Sequence, residues 1–141
     1  MVAADLYNLQ RFVDAQHPIY GQVRDELAGG RKHSHWMWFI FPQIKGLGTS
    51  STAQKYAISG IDEAKAYLEH QLLGFRLREC SLLVNAVNGR SIEEIFGHPD
   101  HLKFHSSMSL FAKASPDDPV FSSALARYFH GKLDAKTLEL L

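Results

Sequence analysis

Along most of this chain, apolar residues recur three and four positions apart, the spacing that gathers side chains on one face of an α-helix. Residues 71–87 show it most clearly. There Leu73, Leu77, Cys80, Val84 and Val87 predict one continuous buried seam. Near the start, Leu6, Leu9, Phe12 and Val13 form a stripe with Asp5 as its N-cap and an end near His17-Pro18. A short helix follows from Tyr20 to Leu27, and Gly29-Gly30 stops it. From Ser51 the helical pattern resumes with Ala53, Tyr56 and Ala57. Beyond Gly60, Ile61, Ala64 and Leu68 repeat it. Ser91 and Glu94 carry the spacing of a capping box for a short helix ending near Gly97. Pro99 suits the first turn of a helix reaching about Ala114, with Phe104, Met108 and Phe111 as its core face. The turn at residues 115–119 opens a helix whose face is Phe121, Leu125, Tyr128 and Phe129. Gly131 ends it, and Asp134 caps a last helix through Leu140. No linker interrupts these elements, so residues 1–141 read as one multi-helical domain.

One stretch does not follow the helical period. Residues 32–48 read KHSHWMWFIFPQIKGLG. If residues 35–41 are extended, Trp36, Trp38 and Ile40 face one side, and His35, Met37, Phe39 and Phe41 face the other. Both faces are apolar, so both need covering. The backbone groups would find partners in a second short strand, in the loop at residues 42–48, or in a helical turn adopted instead, and the pattern leaves these open. The expected fold is therefore mainly α, with at most a small strand or extended segment near residues 35–41.

Composition narrows the function classes. Hydrophobic residues make up 45% and charged residues 21% of the 141 positions, enough for a core without metal or disulfide staples. Lys+Arg and Asp+Glu are both 15, so the net charge is zero. That balance argues against general nucleic-acid binding, which needs a basic excess. Cys80 is the one cysteine, so no intrachain disulfide forms. Its place in the seam makes it a small buried hydrophobe rather than a nucleophile. No leader-like N-terminus is visible, and the run Trp36–Phe41 is too short for a bilayer, so the expectation is a cytoplasmic protein without membrane contact.

The residues able to do chemistry fall into a few groups. Trp36 and Trp38 offer flat faces that stack on a nucleobase or ribose. Around them stand His35, Gln43, Lys45, Gly46 and Gly48, and such glycines let a backbone approach a phosphate, although turns use them equally. Asp100, Lys103 and Ser107 form a polar stripe beside the core stripe of their helix, an arrangement whose commonest meaning is a solvated face. Glu26 and Glu79 are further carboxylates, and Glu79 has Arg76 three residues before it. His98, His101 and His105 could share a helical face, but there is no His-Glu-x-x-His element and no carboxylate obviously completes a set. No metal and no cofactor is assigned.

A resemblance sharpens these readings. The run from Lys32 to Gln43 followed by Gly46-Leu47-Gly48 is similar to the signature of the family called domain of unknown function 1810. The likeness continues at residues 53–58, 63–68, 73–80, 95–100, 102–111 and 134–141, so it covers nearly the whole chain. It implies a small α-rich domain. More distantly, in its aromatic entry segment, the helix start Ala53-Gln54-Lys55-Tyr56 and a late helix with Asp100, Lys103 and Met108 in similar order, the chain resembles the NADAR proteins (NAD- and ADP-ribose-associated), which are mainly helical and include N-glycosidases of ribosylated bases or amino-pyrimidines. Two departures stand out: relatives carry arginine where this chain has His33 and His105, which would weaken any anion site built on them.

Cleaving an N-glycosidic bond needs a carboxylate to orient water or stabilise an oxocarbenium-like centre. The catalytic candidates are Asp100, His35 and Glu79. The ligand-binding candidates are Trp36, Trp38, Gln43, Lys45, Gly46, Gly48 and Lys103. Three readings compete: an N-glycosidase acting on a nucleotide or ribosyl compound, a nucleotide-binding module without catalysis, and a protein-interaction domain using exposed aromatics. The first requires an indole edge in a cleft within a ligand's length of Asp100.

Overall fold

In the computed structural model, which describes residues 4–141, the helical periods become ten helices among the described residues. They are α1 (Gln10–Gln16), α2 (Tyr20–Ala28), α3 (Met37–Ile40), α4 (Ser51–Lys55) and α5 (Ile61–Glu69) in the first half. The second half contributes α6 (Gln71–Asn85), α7 (Ile92–Phe96), α8 (Asp100–Ala114), α9 (Pro119–Phe129) and α10 (Ala135–Leu140). None of them is long and apolar enough to cross a membrane.

Two long helices organise the rest. α6 packs against α1, α2, α3, α5 and α9, while α8 packs against α5, α7, α9 and α10. On α6 the predicted seam is buried at Leu73, Leu77, Cys80 and Val84. α8 is buried on more than one face: Ser106, Ser107 and Ser109 lie in the interior together with Phe104, Met108, Leu110 and Phe111. Small side chains let neighbouring helices come close, and their hydroxyls are partly absorbed within the helix. Ser106 donates to the Leu102 carbonyl at 3.1 Å and Ser109 to that of His105 at 2.8 Å. Ser107 therefore belongs to the core, and the polar stripe expected along Asp100, Lys103 and Ser107 stops at Lys103.

Several ends form as the local chemistry dictates. Ser91 and Glu94 make the reciprocal capping box of α7. Asp118 caps α9, with Pro119 in its first turn, and Asp134 caps α10. The opening stripe is shorter than predicted. The Asp5 carboxylate accepts from the N–H groups of Leu9 and Gln10 at 2.7 and 2.9 Å, but helix starts only at Gln10 and Leu6 is exposed. Asn8, at φ 51°, breaks the stripe between them.

The aromatic run forms a turn of helix, not a strand. Ile40 and Phe41 donate to the carbonyls of Trp36 and Met37 at 3.2 and 3.1 Å, so the turn supplies its own backbone partners. Helical spacing then buries Trp36, Met37, Ile40 and Phe41 on one side and leaves Trp38 and Phe39 half-buried. The extended fragment comes just afterwards, as an isolated parallel bridge between Ile44 and Ile58. Trp36, Phe41, Phe96 and Phe104 form an aromatic cluster, with Phe41 edge-on to Phe104 at 5.0 Å and Phe96 stacked on it at 4.9 Å.

Candidate functional site

The two indoles have different surroundings. Trp36 is fully buried, and its indole N–H donates to the Glu26 carboxylate at 3.1 Å. That carboxylate also accepts the backbone N–H groups of His33 and Ser34 at 2.6 and 2.9 Å, the Ser34 hydroxyl at 2.8 Å and the Gln22 amide at 3.0 Å. Burial alone would raise the Glu26 pKa. The donors around it outweigh burial and hold it at about 2. Glu26 is thus the post to which α2 ties the segment entering α3, which is a structural role. The position itself was visible in the sequence, but its partners were not.

Asp100, at the first position of α8, receives two lysines. Lys32 Nζ lies 2.8 Å from one carboxylate oxygen and Lys103 Nζ 3.3 Å from the other. Burial would raise the Asp100 pKa, but the hydrogen bond and charge of Lys32, with Lys103 added, keep it below the ordinary carboxylate range. The same lysines lie over the tryptophans: Lys32 Nζ is 5.2 Å from the Trp36 ring centre and Lys103 Nζ is 4.8 Å from that of Trp38. The Lys32 side chain is 7% exposed and the Lys103 side chain 26%. One ion triad thus spans an interior cation–indole pair and an accessible one.

The accessible pair lies beside two spaces, a slot of only about 10 Å³ at Trp38 and a larger cleft at Lys103. Trp38 lines a narrow slot with Gln43, Gly48 and Tyr56. Gln43 and Gly48 also line an adjoining cleft of about 300 Å³, whose other walls include Leu47, Leu102, Lys103 and Asp134. Of the predicted site residues, Trp38, Gln43, Gly48 and Lys103 therefore converge. Asp100 is not among the residues lining the cleft. It lies one ion pair behind Lys103.

The remaining candidates lie elsewhere or serve the fold. Glu79 accepts from the Tyr20 hydroxyl at 2.8 Å and pairs with Arg24 at 3.2 Å, while Arg76 sits over the Tyr20 ring. The expected Arg76–Glu79 pair is thus replaced by partners from α2. Glu79 borders a separate apolar groove of about 780 Å³ on α6, where Phe75 and Leu82 are exposed. His35 is exposed and lines neither the slot nor the cleft beside Trp38. Lys45 has an exposed side chain and a backbone N–H that donates to the Ile58 carbonyl at 2.8 Å. Gly46 adopts φ 106° against Leu140, a conformation only glycine takes readily. At Gly48 a Cβ would meet that of Ala53 at 2.5 Å, so that close approach is to α4. Cys80 is buried and burial pushes its thiol up to about 12, as expected of an inert core cysteine.

The histidine row is split. His105 stacks on Phe129 at 4.0 Å and bonds the Lys132 carbonyl at 2.7 Å, away from the other two. His98 and His101 are joined instead by Glu93 of α7, with one ligand atom from each of the three residues within 4.8 Å of the others. Helical spacing from residue 98 pointed to 105. The backbone turn at Gly97, φ 78°, folds the chain back and brings in a residue from the preceding helix. Arg11 was also missed. It bonds the Lys55 and Ala57 carbonyls at 2.7 and 2.9 Å and the buried Glu63 at 2.9 Å, contacts that sequence spacing does not signal.

The family model described as "Protein of unknown function (DUF1810)" matches residues 6–141. The chain is similar to the conserved hypothetical protein Rv1873 from Mycobacterium tuberculosis, whose crystal structure it matches with a TM-score of 0.96 and 56% identity over 97% of this chain and 98% of that one. No curated protein matches the chain.

Proposed function

We propose that this chain, which belongs to the DUF1810 family, binds a nucleotide, ADP-ribose or a ribosylated base in the cleft beside Trp38. The observation that carries the reading is the convergence of Trp38, Gln43, Gly48 and Lys103 on two adjoining spaces. A half-buried indole supplies a stacking face, an amide supplies base-edge hydrogen bonds, and an ammonium supplies the partner for phosphate or a ribose oxygen. The cleft, at about 300 Å³, sits at the lower bound of small-ligand sites, which run from roughly 300 to 1,000 Å³. The sequence likeness to ADP-ribose-associated proteins supports the same ligand class.

Asp100 limits the chemistry. Kept ionised by Lys32 and Lys103, it suits orienting water or stabilising positive charge, and it does not suit protonating a leaving base. Binding is therefore the primary function, and hydrolysis of the N-glycosidic bond requires Asp100 to leave its lysines for the substrate.

The test incubates the protein with NAD, ADP-ribose and ribosylated pyrimidines, following thermal shift and free base together. A shift that Trp38→Ala and Lys103→Met abolish, without product, supports binding alone. Product that Asp100→Asn abolishes adds the hydrolase. The reading is overturned if none of these ligands produces either a shift or product.

A further inference from the structure

We infer that Glu93, His98 and His101 form a binding site for a divalent transition cation of the zinc type. The three residues come from α7, the α7–α8 turn and the first turn of α8, and their donor atoms lie within 4.8 Å of one another. Glu93 and His98 are exposed and His101 is half-exposed, so small side-chain rotations bring the donors to the roughly 3–4 Å mutual spacing that bonds of about 2.1 Å to one ion require. Among the described residues Glu93 has no ion-pair partner within 4.0 Å, which leaves its carboxylate free for an ion.

The geometry of His101 points the same way. Its Nδ1 lies 3.2 Å from the Gly97 carbonyl oxygen. With Nδ1–H donating there, the proton sits on that nitrogen and Nε2 keeps its lone pair for a metal. Metal-bound imidazoles are typically held by such a bond from the other ring nitrogen. The His98 and His101 rings are 5.2 Å apart at 47°, facing one region without stacking. Two imidazoles and one carboxylate match zinc, nickel or cobalt and mismatch magnesium or calcium, which favour all-oxygen sets. Three protein donors leave a coordination position open to water or an exogenous anion. Glu93 also lines a cleft of about 420 Å³ with the exposed Arg31 and Arg90, whose cations would draw such an anion, and with Glu94. This inference is independent of the Trp38 cleft and stands or falls on its own measurement.

The experiment titrates the untagged protein with zinc chloride alone by calorimetry at pH 7.5. It also records the visible absorption of added cobalt(II). One zinc per chain is expected. Affinity should weaken at least about tenfold in Glu93→Gln and more in His98→Ala or His101→Ala. His105→Ala should bind as the parent does, magnesium should give no heat, and cobalt should show the d–d bands of mixed nitrogen and oxygen ligation. Far-ultraviolet circular dichroism checks that each variant is folded. Absence of zinc binding in the parent, or binding that persists in folded His98→Ala/His101→Ala, overturns the inference.

Discussion

Trp36 and Trp38 stand two residues apart in the same run, each with a lysine ammonium over its ring. Only one of them is a candidate for function. Trp36 is sealed, tied to Glu26 and covered by a lysine that is itself nearly buried. Trp38 faces a slot beside a cleft, under a lysine that solvent reaches. An aromatic signature therefore need not be one surface. A single turn of helix places residues two apart on different sides, so one motif carries a core anchor and a cleft wall together.

The largest test of this contrast is Trp36→Ala. It should cost about 3–5 kcal/mol in chemical denaturation, because it opens a cavity in the aromatic cluster and strips a donor from Glu26. A cost below about 1 kcal/mol would mean that Trp36 is not the anchor. Glu26→Ala should cost about 3 kcal/mol, since two backbone N–H groups and the indole lose their acceptor.

The same carboxylate predicts a pH dependence. Its folded pKa, about 2, lies below its ordinary 4.5, so ionised Glu26 stabilises the fold above pH 4.5, and this contribution is lost as pH falls toward 2. The loss amounts to about 3 kcal/mol, and in Glu26→Gln the stability curve should be flatter across that window. Trp38→Ala should cost only about 1–2 kcal/mol while removing ligand binding. In single-tryptophan variants, iodide should quench Trp38 and spare Trp36. The smallest effect belongs to Lys103→Met: below about 1 kcal/mol in stability, because the pair it breaks is partly exposed, but a clear loss of ligand-induced shift.

How much of this was legible follows from how far apart the interacting residues are in the chain. The capping box at Ser91 and Glu94, the cap at Asp134, the turn that opens α9, and the seam through Leu73, Leu77, Cys80 and Val84 are local, so spacing and residue type sufficed, although Val87, expected to continue the seam, is only half-buried beyond the end of α6. The α3 turn was not decided, because six consecutive apolar residues satisfy helical and alternating periods alike. Pairs distant in sequence were invisible: Lys32 with Asp100, Arg11 with Glu63, and Glu79 with Arg24. Glu93 was missed because a periodicity argument runs along one helix and cannot cross the turn at Gly97.

By itself the sequence determined a mainly helical domain, its family, most helix boundaries, and the inert burial of Cys80. Each follows from periodicity, capping chemistry, or residue patterns read along the chain. Tertiary structure alone decided which tryptophan is accessible, that Asp100 is clamped between two lysines, and that Glu93 joins His98 and His101. Those outcomes depend on the packing of α7, α8 and α3 against one another, which places side chains in space irrespective of their distance along the chain.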